Sequence, residues 1–565
     1  MNNQELAQIF NNIADFLEME GMERFKPFAY RKAALVLGSL EKDVAEIYRI
    51  EGKKGLEELS GIGESLAEKI EEYLQHGKIK YYEELKKKTP INVEELNLVS
   101  GIGPKMIKTF YKELGVRNLK DLEKAVKAHK VASLFGFGGK TEQNILEGLT
   151  FLKKSKGRHL LGDIMPIVVE LENYLQKKTG KISVAGSVRR KKATIGDIDL
   201  LAVAEDPGAV MDSFISLPGV VKVWGKGKTK SSIRLRPGFD VDLRVVPEES
   251  YGSALQYFTG SKEHNIAVRK IAQSKKLKLN EYGVFSGRKR IAGKTEAEVY
   301  GALGLEYIPP ELRENQGEVE AALRGNLPKL VEVQDIKGDL HCHISGSALE
   351  EMIEEAKARG YQYLGISDHT KFLKIEHGLD ERQLAQQRKK IDKLNAGMVG
   401  FKVLQGAETN ILKNGTIDIK DEALAKLDYT IAGVHSNFKM TKEEMTERII
   451  RAMKNPNIKI IAHLTGRMLK LRDGYQIDFD KILRAAKETN TILEINSQPL
   501  RLDIEDVNIK RAKEAGVKMV ISTDSHHKDH LRFMEFGVYQ ARRGWAEKKD
   551  IINTSSLGFL RKHLK

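Results

Sequence analysis

A chain of 565 residues with a formal net charge of +15 is too long for one hydrophobic core, and its length predicts several units. A hydrophobic content of 41% excludes a wholly disordered chain, the single cysteine excludes an intrachain disulfide, and the absence of a run of 18 apolar residues excludes a bilayer-spanning helix. The basic surplus runs through both halves of the sequence, which points to a polyanionic partner, nucleic acid being the commonest.

The opening residues, MNNQELAQIFNNIADFLEMEG, alternate apolar and charged positions and read as an amphipathic helix, not as a secretory signal. With Cys342 alone, the expected compartment is reducing and cytoplasmic. Residues 1–155 predict almost nothing but helix, with apolar residues three and four apart over 6–19 and 30–40. Over 158–250 the pattern predicts one helix at 162–178 and strands at 182–185, 199–204, 232–236 and 241–246, an α+β unit. Residues 255–315 mix helix and short strands, and the charged stretch 316–335 reads as a linker. From Gly338 onward short apolar strands at 363–366, 402–406, 429–432, 459–462, 492–495 and 518–521 alternate with helices, the signature of a parallel α/β barrel or a relative of it.

Three turns in the helical part share one pattern: Gly61-Ile-Gly63, Gly101-Ile-Gly103 and Gly136-Phe-Gly138, each opening a helix. Glycine permits positive φ and close approach of the backbone to a ligand, and the N–H groups of a helix start can hold a phosphate. One such turn is an ordinary helix hairpin; three in a basic chain, the second followed by Lys105, favour sequence-independent grip on a DNA backbone. These segments resemble helix-hairpin-helix motifs. With Lys26-Pro-Phe-Ala-Tyr30-Arg-Lys they look like the N-terminal lyase-type domain of DNA polymerase β and its relatives. That resemblance implies a Schiff-base role for Lys69, which burial or cationic neighbours must partly deprotonate, and a 5′-phosphate pocket at Lys26 and Tyr30. Glu57 and Ser65 stand where that pocket has further lysines.

Gly186-Ser187-Val-Arg-Arg190 is followed by Gly196-Asp197-Ile-Asp199, whose two carboxylates share one face of a strand and suit a pair of divalent ions. A third carboxylate is expected from the next apolar strand, Phe239-Asp240-Val-Asp242, with Asp242 aligned to the pattern and Asp240 the alternative. Ser187 and Arg190, beside the glycine turn at Gly186, are placed to donate to the β- and γ-phosphates of a nucleotide. This order of motifs is similar to the nucleotidyltransferase superfamily. Tyr257-Phe258-Thr-Gly260-Ser, then Asn265 and Arg269, narrows the resemblance to the thumb of family X DNA polymerases. It implies an aromatic platform against the sugar of the incoming nucleotide, Asn265 at its minor-groove edge and Arg269 near the templating base.

Gly338-Asp-Leu-His341-Cys342-His343 sets two imidazoles on one face of a strand. Single polar residues then follow at the ends of successive strands: His369, Glu408, His435, His463, Asp524 and His526. Ligands at barrel strand ends converge on one rim. Imidazole with carboxylate suits Zn²⁺, Mn²⁺ or Fe²⁺, and a carboxylate such as Glu408 can bridge several ions for phosphodiester hydrolysis. One histidine in such a place is more often structural, but the series outweighs that reading. Cys342, between the two imidazoles, reads as a small core residue, and His377, His527 and His530 as surface residues. The constellation is similar to the PHP domain at the C-terminus of bacterial and archaeal family X polymerases. That family's ninth ligand is an aspartate after His-x-His; here the segment is shortened and Ala348 stands at its offset.

The expected architecture is multidomain: a lyase-like helix-hairpin-helix domain over 1–90, a second DNA-binding helical domain over 91–155, a palm over 156–253, a thumb over 254–315, a linker over 316–335 and a distorted TIM-like α/β PHP barrel over 336–565. The resemblance implies a monomeric polymerase filling gapped or nicked DNA from dNTPs during base-excision repair. It further implies Mg²⁺ or Mn²⁺ in the palm and Mn²⁺ or Zn²⁺ in the PHP domain, which trims 3′ ends and cuts abasic sites. The alternatives are a PHP phosphoesterase with a weak polymerase core and a non-catalytic DNA-binding protein. The clustered carboxylates argue against the last, since a pure binder gains nothing from acids beside a polyanion.

Overall fold

Apolar residues three and four apart make Asn2–Glu20 and Phe25–Ser39 helices that bury Phe10, Ile13 and Leu17 against Ala33, Val36 and Leu37. The computed structural model describes all residues except 1, 23–24, 41–42, 60, 100–101, 156, 237, 345–347, 374–377 and 565. Three of the helices that follow start on side-chain caps: Asp43 accepts from Ala45 N, Asn92 from Glu95 N and Asn118 from Asp121 N. One apolar cluster runs from Leu6 to Leu149, so the two helical domains read from the sequence share a single core.

The palm is a five-stranded sheet of β1 (Lys181–Val184), β2 (Ile198–Val203), β3 (Val220–Lys226), β4 (Lys230–Leu235) and β5 (Phe239–Val245), in the order β1-β2-β5-β4-β3. Only the β2–β5 pair is parallel. β5 alternates strictly, with Phe239, Val241, Leu243 and Val245 buried and Asp240, Asp242 and Arg244 on the open face. The thumb follows as helices Tyr251–Thr259 and Lys262–Ser274, a three-stranded antiparallel sheet over Lys278–Ala292 and helix Glu296–Ala302.

The stretch expected as a linker is instead part of the thumb. Helix Glu318–Arg324 packs Val319 and Ala322 into the thumb core. Its Glu318 carboxylate is buried, bonded to His264 Nδ1 at 2.6 Å and to Asn315 N and Gln316 N at 2.8 and 2.7 Å. Charges that read as solvated are therefore paired inside the fold.

In the C-terminal domain β6 (Gly338–Cys342), β7 (Tyr363–Ile366) and β8 (Lys402–Gln405) form one parallel sheet. β9 (Glu408–Asn410), β10 (Ile431–Gly433), β11 (Ile460–Ile461), β12 (Ile492–Asn496) and β13 (Met519–Ser522) form a second. Isolated parallel bridges, Cys342 to Ser525 and His369 to Glu408, join the two sheets just beyond the strand ends. The strands assign to two sheets, and not to one uninterrupted barrel sheet. Nearly every strand residue is buried, because helices cover the outer faces. Leu502 and Phe536 of this domain enter the palm core, and Gly162 packs so closely on Pro499 that a Cβ there would lie 2.6 Å from it. Among the described residues no helix is long and apolar enough to cross a membrane.

Candidate active sites

In the palm, the parallel register sets Asp199 directly opposite Asp242, so both carboxylates project from the same face of the sheet. Asp197 lies one residue before β2, exposed, two positions from Asp199. Burial, then the charges of Asp197 and Asp242, push Asp199 up to about 6, the mark of carboxylates crowded with too little positive charge. Lys230 Nζ lies 3.0 Å from Asp242 Oδ2. Asp240, the alternative, is committed elsewhere: Arg234 reaches its oxygens at 2.8 and 2.7 Å and Trp224 Nε1 at 2.9 Å. Gly186, at φ +57°, closes the site from above, and a Cβ on it would lie 2.2 Å from Asp199 Oδ2. A cluster of carboxylates of this kind is a donor set for hard divalent cations.

Ser187 lies half-buried in the short helix Gly186–Arg189. Arg190, expected to meet the triphosphate, is held by the thumb: Nε donates to Glu314 Oε1 at 2.9 Å and Nη1 to the Thr259 carbonyl at 2.8 Å. Arg189, which the sequence did not single out, forms a two-pronged pair with Glu296 at 2.8 and 2.6 Å and donates to Thr259 Oγ1. The expected phosphate cradle is thus the palm–thumb joint in this arrangement.

Tyr257 and Phe258 are half-buried and meet edge to face at 5.1 Å. Asn265 does not present its amide to a groove. Its Nδ2 donates to the carbonyls of Tyr257 and Gly260 at 2.7 and 3.3 Å, and its Oδ1 accepts from Gln256 at 3.1 Å, so it builds the turn. Gly260 is required beside it, since a Cβ would lie 2.5 Å from Asn265 Oδ1. Arg269 is exposed.

Of the DNA-binding residues, Gly63 and Gly103 precede helices Glu64–His76 and Pro104–Leu114 without any side-chain cap, which leaves the first-turn N–H groups to an outside acceptor. Gly61 has φ +85° and Lys105 is exposed. Gly101 lies outside the described residues. Tyr30 is corrected: it is 4% exposed and packs edge-on against Phe10 at 5.5 Å, so its ring serves the core. Lys26 and Lys69 both reach the Tyr81 ring, at 5.3 and 5.9 Å. Burial, opposed by Glu68 and helped by Lys26, lowers Lys69 below the ordinary lysine range, and its Nζ donates to Ser65 O at 3.0 Å.

In the C-terminal domain the expected ligands gather in one cluster, five histidines around Glu408 and three around Asp524. Glu408 Oε1 lies 3.0 Å from His435 Nε2 and 2.9 Å from His463 Nε2; its Oε2 lies 2.8 Å from His369 Nδ1, 3.3 Å from His341 Nε2 and 3.6 Å from His343 Nε2. Asp524 Oδ1 stands 3.3 Å from His343 Nε2, 3.6 Å from His341 Nε2 and 3.9 Å from His526 Nδ1. His343 stacks on His369 at 4.4 Å and on His526 at 4.3 Å, and those two rings lie 6.0 Å from each other. His341 Nε2, both nitrogens of His343, His369 Nδ1 and Glu408 Oε2 are buried without a hydrogen-bond partner, although they crowd one another. Buried polar atoms in proteins are as a rule paired, and a crowd of unpaired lone-pair donors fits divalent ions. Among the described residues three groups have the spacing of an ion site: His343 with His369 and His526, His341 with His343 and Glu408, and His369 with Glu408 and His435.

The surrounding residues orient these donors. Glu494, fully buried, takes His341 Nδ1 at 2.6 Å and the His463 backbone N–H at 2.7 Å; Asn410 Oδ1 takes His435 Nδ1 at 2.7 Å. The bonds to His341 Nδ1 and His435 Nδ1 fix the tautomer that leaves Nε2 as a lone-pair donor. Asp339 accepts from His341 N, and Asp368 from Ile344 N and Gln387. Arg501 Nε lies 3.6 Å from Asp524 Oδ2. The sequence reading missed all of these. Its one usable signal was a single acid or amide inside an apolar strand. His527 and His530, read as surface residues, are 4% and 7% exposed, because the 3₁₀ segment Lys528–Phe533 folds back and stacks His530 on Phe533. His377 and residues 345–347 lie outside the described residues; Ala348 begins the next helix as its cap.

Sequence models of known families match this chain in four places: a helix-hairpin-helix domain at residues 1–79, a SAM-like helix-hairpin-helix tandem at 93–150, the DNA polymerase beta thumb at 254–314 and the PHP domain at 339–498. The DNA polymerase/3′-5′ exonuclease PolX of Bacillus subtilis is 38% identical over 570 residues, covering 99% of this chain and 98% of that protein. A probable phosphatase of Clostridium acetobutylicum is 36% identical over 203 residues, 33% of this chain and 78% of its own length. A probable phosphatase of Thermoanaerobacter sp. is 32% identical over 244 residues, 40% of this chain and 94% of its own length. A full-length relative, a matching thumb and a converged histidine centre together place the chain in the bacterial-type family X DNA polymerases that carry a C-terminal PHP domain.

Proposed function

We propose that this enzyme is a DNA polymerase that fills short gaps from dNTPs in base-excision repair, and that its PHP domain removes nucleotides from 3′ ends and cuts abasic sites. The observation that carries the synthetic half is the register of β2 and β5, which sets Asp199 beside Asp242 with Asp197 two residues away. The divalent ions both centres depend on, Mg²⁺ or Mn²⁺ in the palm and Mn²⁺ or Zn²⁺ in the PHP domain, supply charge neutralisation and Lewis acidity for phosphoryl transfer.

The chain's own residues do the rest. Asp197, Asp199 and Asp242 hold the palm ions beside the primer end. Gly186 lets the turn backbone approach the triphosphate, and Ser187 donates to it. Arg190 exchanges Glu314 for a phosphate when nucleotide binds, and the Tyr257–Phe258 pair packs on the sugar. In the PHP domain, His341, His343, His369, Glu408, His435, His463, Asp524 and His526 hold the ions, and Glu494 and Asn410 keep the imidazoles in the ligating tautomer. Gly63 and Gly103 present helix starts to the DNA backbone, and Lys69, with its lowered basicity, is the amine for an abasic sugar. The protein acts as a monomer in the cytoplasm, on gapped or nicked nucleoid DNA.

The test is a gapped, 5′-phosphorylated duplex incubated with Mg²⁺ or Mn²⁺, with and without dNTPs, scored for extension and shortening. Asp197→Ala with Asp199→Ala abolishes extension and leaves DNA binding nearly intact; His435→Ala and Asp524→Ala each abolish shortening. Absence of incorporation with either ion rules out the polymerase, and nuclease activity that survives both PHP substitutions rules out the histidine centre.

A further inference from the structure

A cleft of about 430 Å³ lies between the helix Gly139–Ser155 and two loops of the PHP domain. Both loops continue directly from ligands. Phe438 and Lys439 follow His435 by three and four residues, and the turn at Gly466, whose N–H donates to His463 O at 2.8 Å, leads to Arg472 and Tyr475.

The wall these loops build is layered. Tyr475 and Phe438 are stacked, with centroids 6.3 Å apart and planes 20° from parallel. The Arg472 guanidinium lies 4.3 Å over the Phe438 ring. Its Nε donates to the Gly466 carbonyl at 3.1 Å, and no carboxylate pairs with it among the described residues. The packing is specific: at Gly466, φ +61°, a Cβ would lie 2.6 Å from Tyr475. Another cation, Arg501, acts on the charge of Arg472 and Tyr475 and stands 3.6 Å from Asp524. The facing helix offers Thr141 and Asn144, and also Glu147, whose carboxylate Gln143 already occupies at 3.1 Å.

A half-buried guanidinium laid on an aromatic ring, with its terminal N–H groups unpaired by any acid, suits one ligand chemistry: a flat, electron-rich ring stacked on the cation and an anion at its edge. An unpaired nucleotide supplies both. We propose that this cleft seats an unpaired nucleotide of the strand whose 3′ end enters the PHP centre, its base stacked on the Arg472–Phe438 layer and its phosphate held by Arg472 and Lys439. The proposal rests on the exonuclease reading above and adds what that reading lacks, a binding site that requires the strand to be single.

The experiment measures 3′ shortening of oligo(dT) and of the same oligomer with abasic 3′-terminal residues, by wild type, Phe438→Ala, Arg472→Ala and Arg472→Lys. Hydrolysis of bis(p-nitrophenyl) phosphate reports the centre itself. Arg472→Ala is expected to raise the KM for oligo(dT) roughly ten-fold with a smaller change in kcat, the size of one lost stacked base. Arg472→Lys, which keeps the charge but not the plane, recovers only part of this. Phe438→Ala raises the KM for oligo(dT) and not for the abasic oligomer, and each loss on oligo(dT) exceeds any loss on the small diester. Wild-type KM for oligo(dT) in both alanine variants, or equal losses on all three substrates, overturns the subsite. A wild-type enzyme that cleaves the small diester but shortens no strand overturns the exonuclease reading, and the subsite with it.

Discussion

At the scale of single residues, the palm depends on one glycine as much as on its acids. Gly186 occupies the left-handed region, and any side chain there points at the Asp199 carboxylate. Gly186→Ala is expected to reduce incorporation on gapped DNA by about two orders of magnitude by displacing that carboxylate, with 3′ shortening preserved; equal loss of both activities would argue for general misfolding instead. His159 offers a pH test away from either metal centre. Burial, with Lys470 adding repulsion, lowers its pKa to about 4, and its ring packs on Phe239 at 4.3 Å. A depressed pKa means the folded ring stays neutral while the unfolded chain takes up a proton below about 6.5. Stability is therefore present above that pH and lost as pH falls toward 4. The loss is on the order of 1 kcal/mol at about pH 5.5, and His159→Phe should flatten it in urea titrations run at neutral and mildly acid pH. That the candidate ligands would share a face was legible, because Asp-x-Asp and His-x-His carry their geometry in a spacing of two. Glu494 was not, since its meaning lies in His341, 153 residues earlier.

At the scale of elements, the strands of the C-terminal domain were legible from apolar runs bounded by polar residues. What was not legible is how the first strand meets the last. Asp339 of β6, fully buried, accepts from Thr523 N at 3.2 Å and Thr523 Oγ1 at 2.5 Å just past β13, and from His341 N at 3.0 Å. Burial pushes its pKa up to about 6 against those bonds. Asp339→Ala strands three donors and is expected to cost about 2–4 kcal/mol, read as a lowered unfolding midpoint. It should also impair shortening more than extension, because His341 and Asp524 sit on the two elements it ties. A variant with wild-type stability and nuclease rate would remove Asp339 from the account. The 318–324 helix shows the converse limit. Its sequence is charged, and Glu318 becomes a core residue through His264, far away in the chain and itself bonded to Tyr300, together with the N–H groups of Asn315 and Gln316.

At the scale of the whole molecule, the polymerase and PHP parts are joined at the turn proposed to bind the nucleotide. Arg543, on the PHP helix Met534–Arg543, donates to the Arg190 carbonyl at 2.8 Å and to Glu314 at 3.2 Å, and also pairs with Asp506. Glu314 in turn holds Arg190 at 2.9 Å, and Lys192 lies 3.5 Å from it. Glu314 is thus shared between a palm arginine proposed to meet the triphosphate and a PHP arginine with no such role. Burial opposes the charge of Glu314, but Arg543, Arg190 and Lys192 hold its pKa below the usual carboxylate range, so it remains a competing anion at neutral pH. The two sides of this competition make opposite demands on substitution. Glu314→Gln weakens the rival for Arg190 and should lower the KM for dNTP by about three- to ten-fold, at a stability cost of roughly 1–2 kcal/mol. Arg543→Ala leaves Glu314 to Arg190 and should raise that KM by a similar factor. Steady-state incorporation on gapped DNA measures both. Shifts of the same sign in the two variants would show that the PHP domain is packed against the polymerase without acting on it; shifts of opposite sign make the PHP helix part of nucleotide selection.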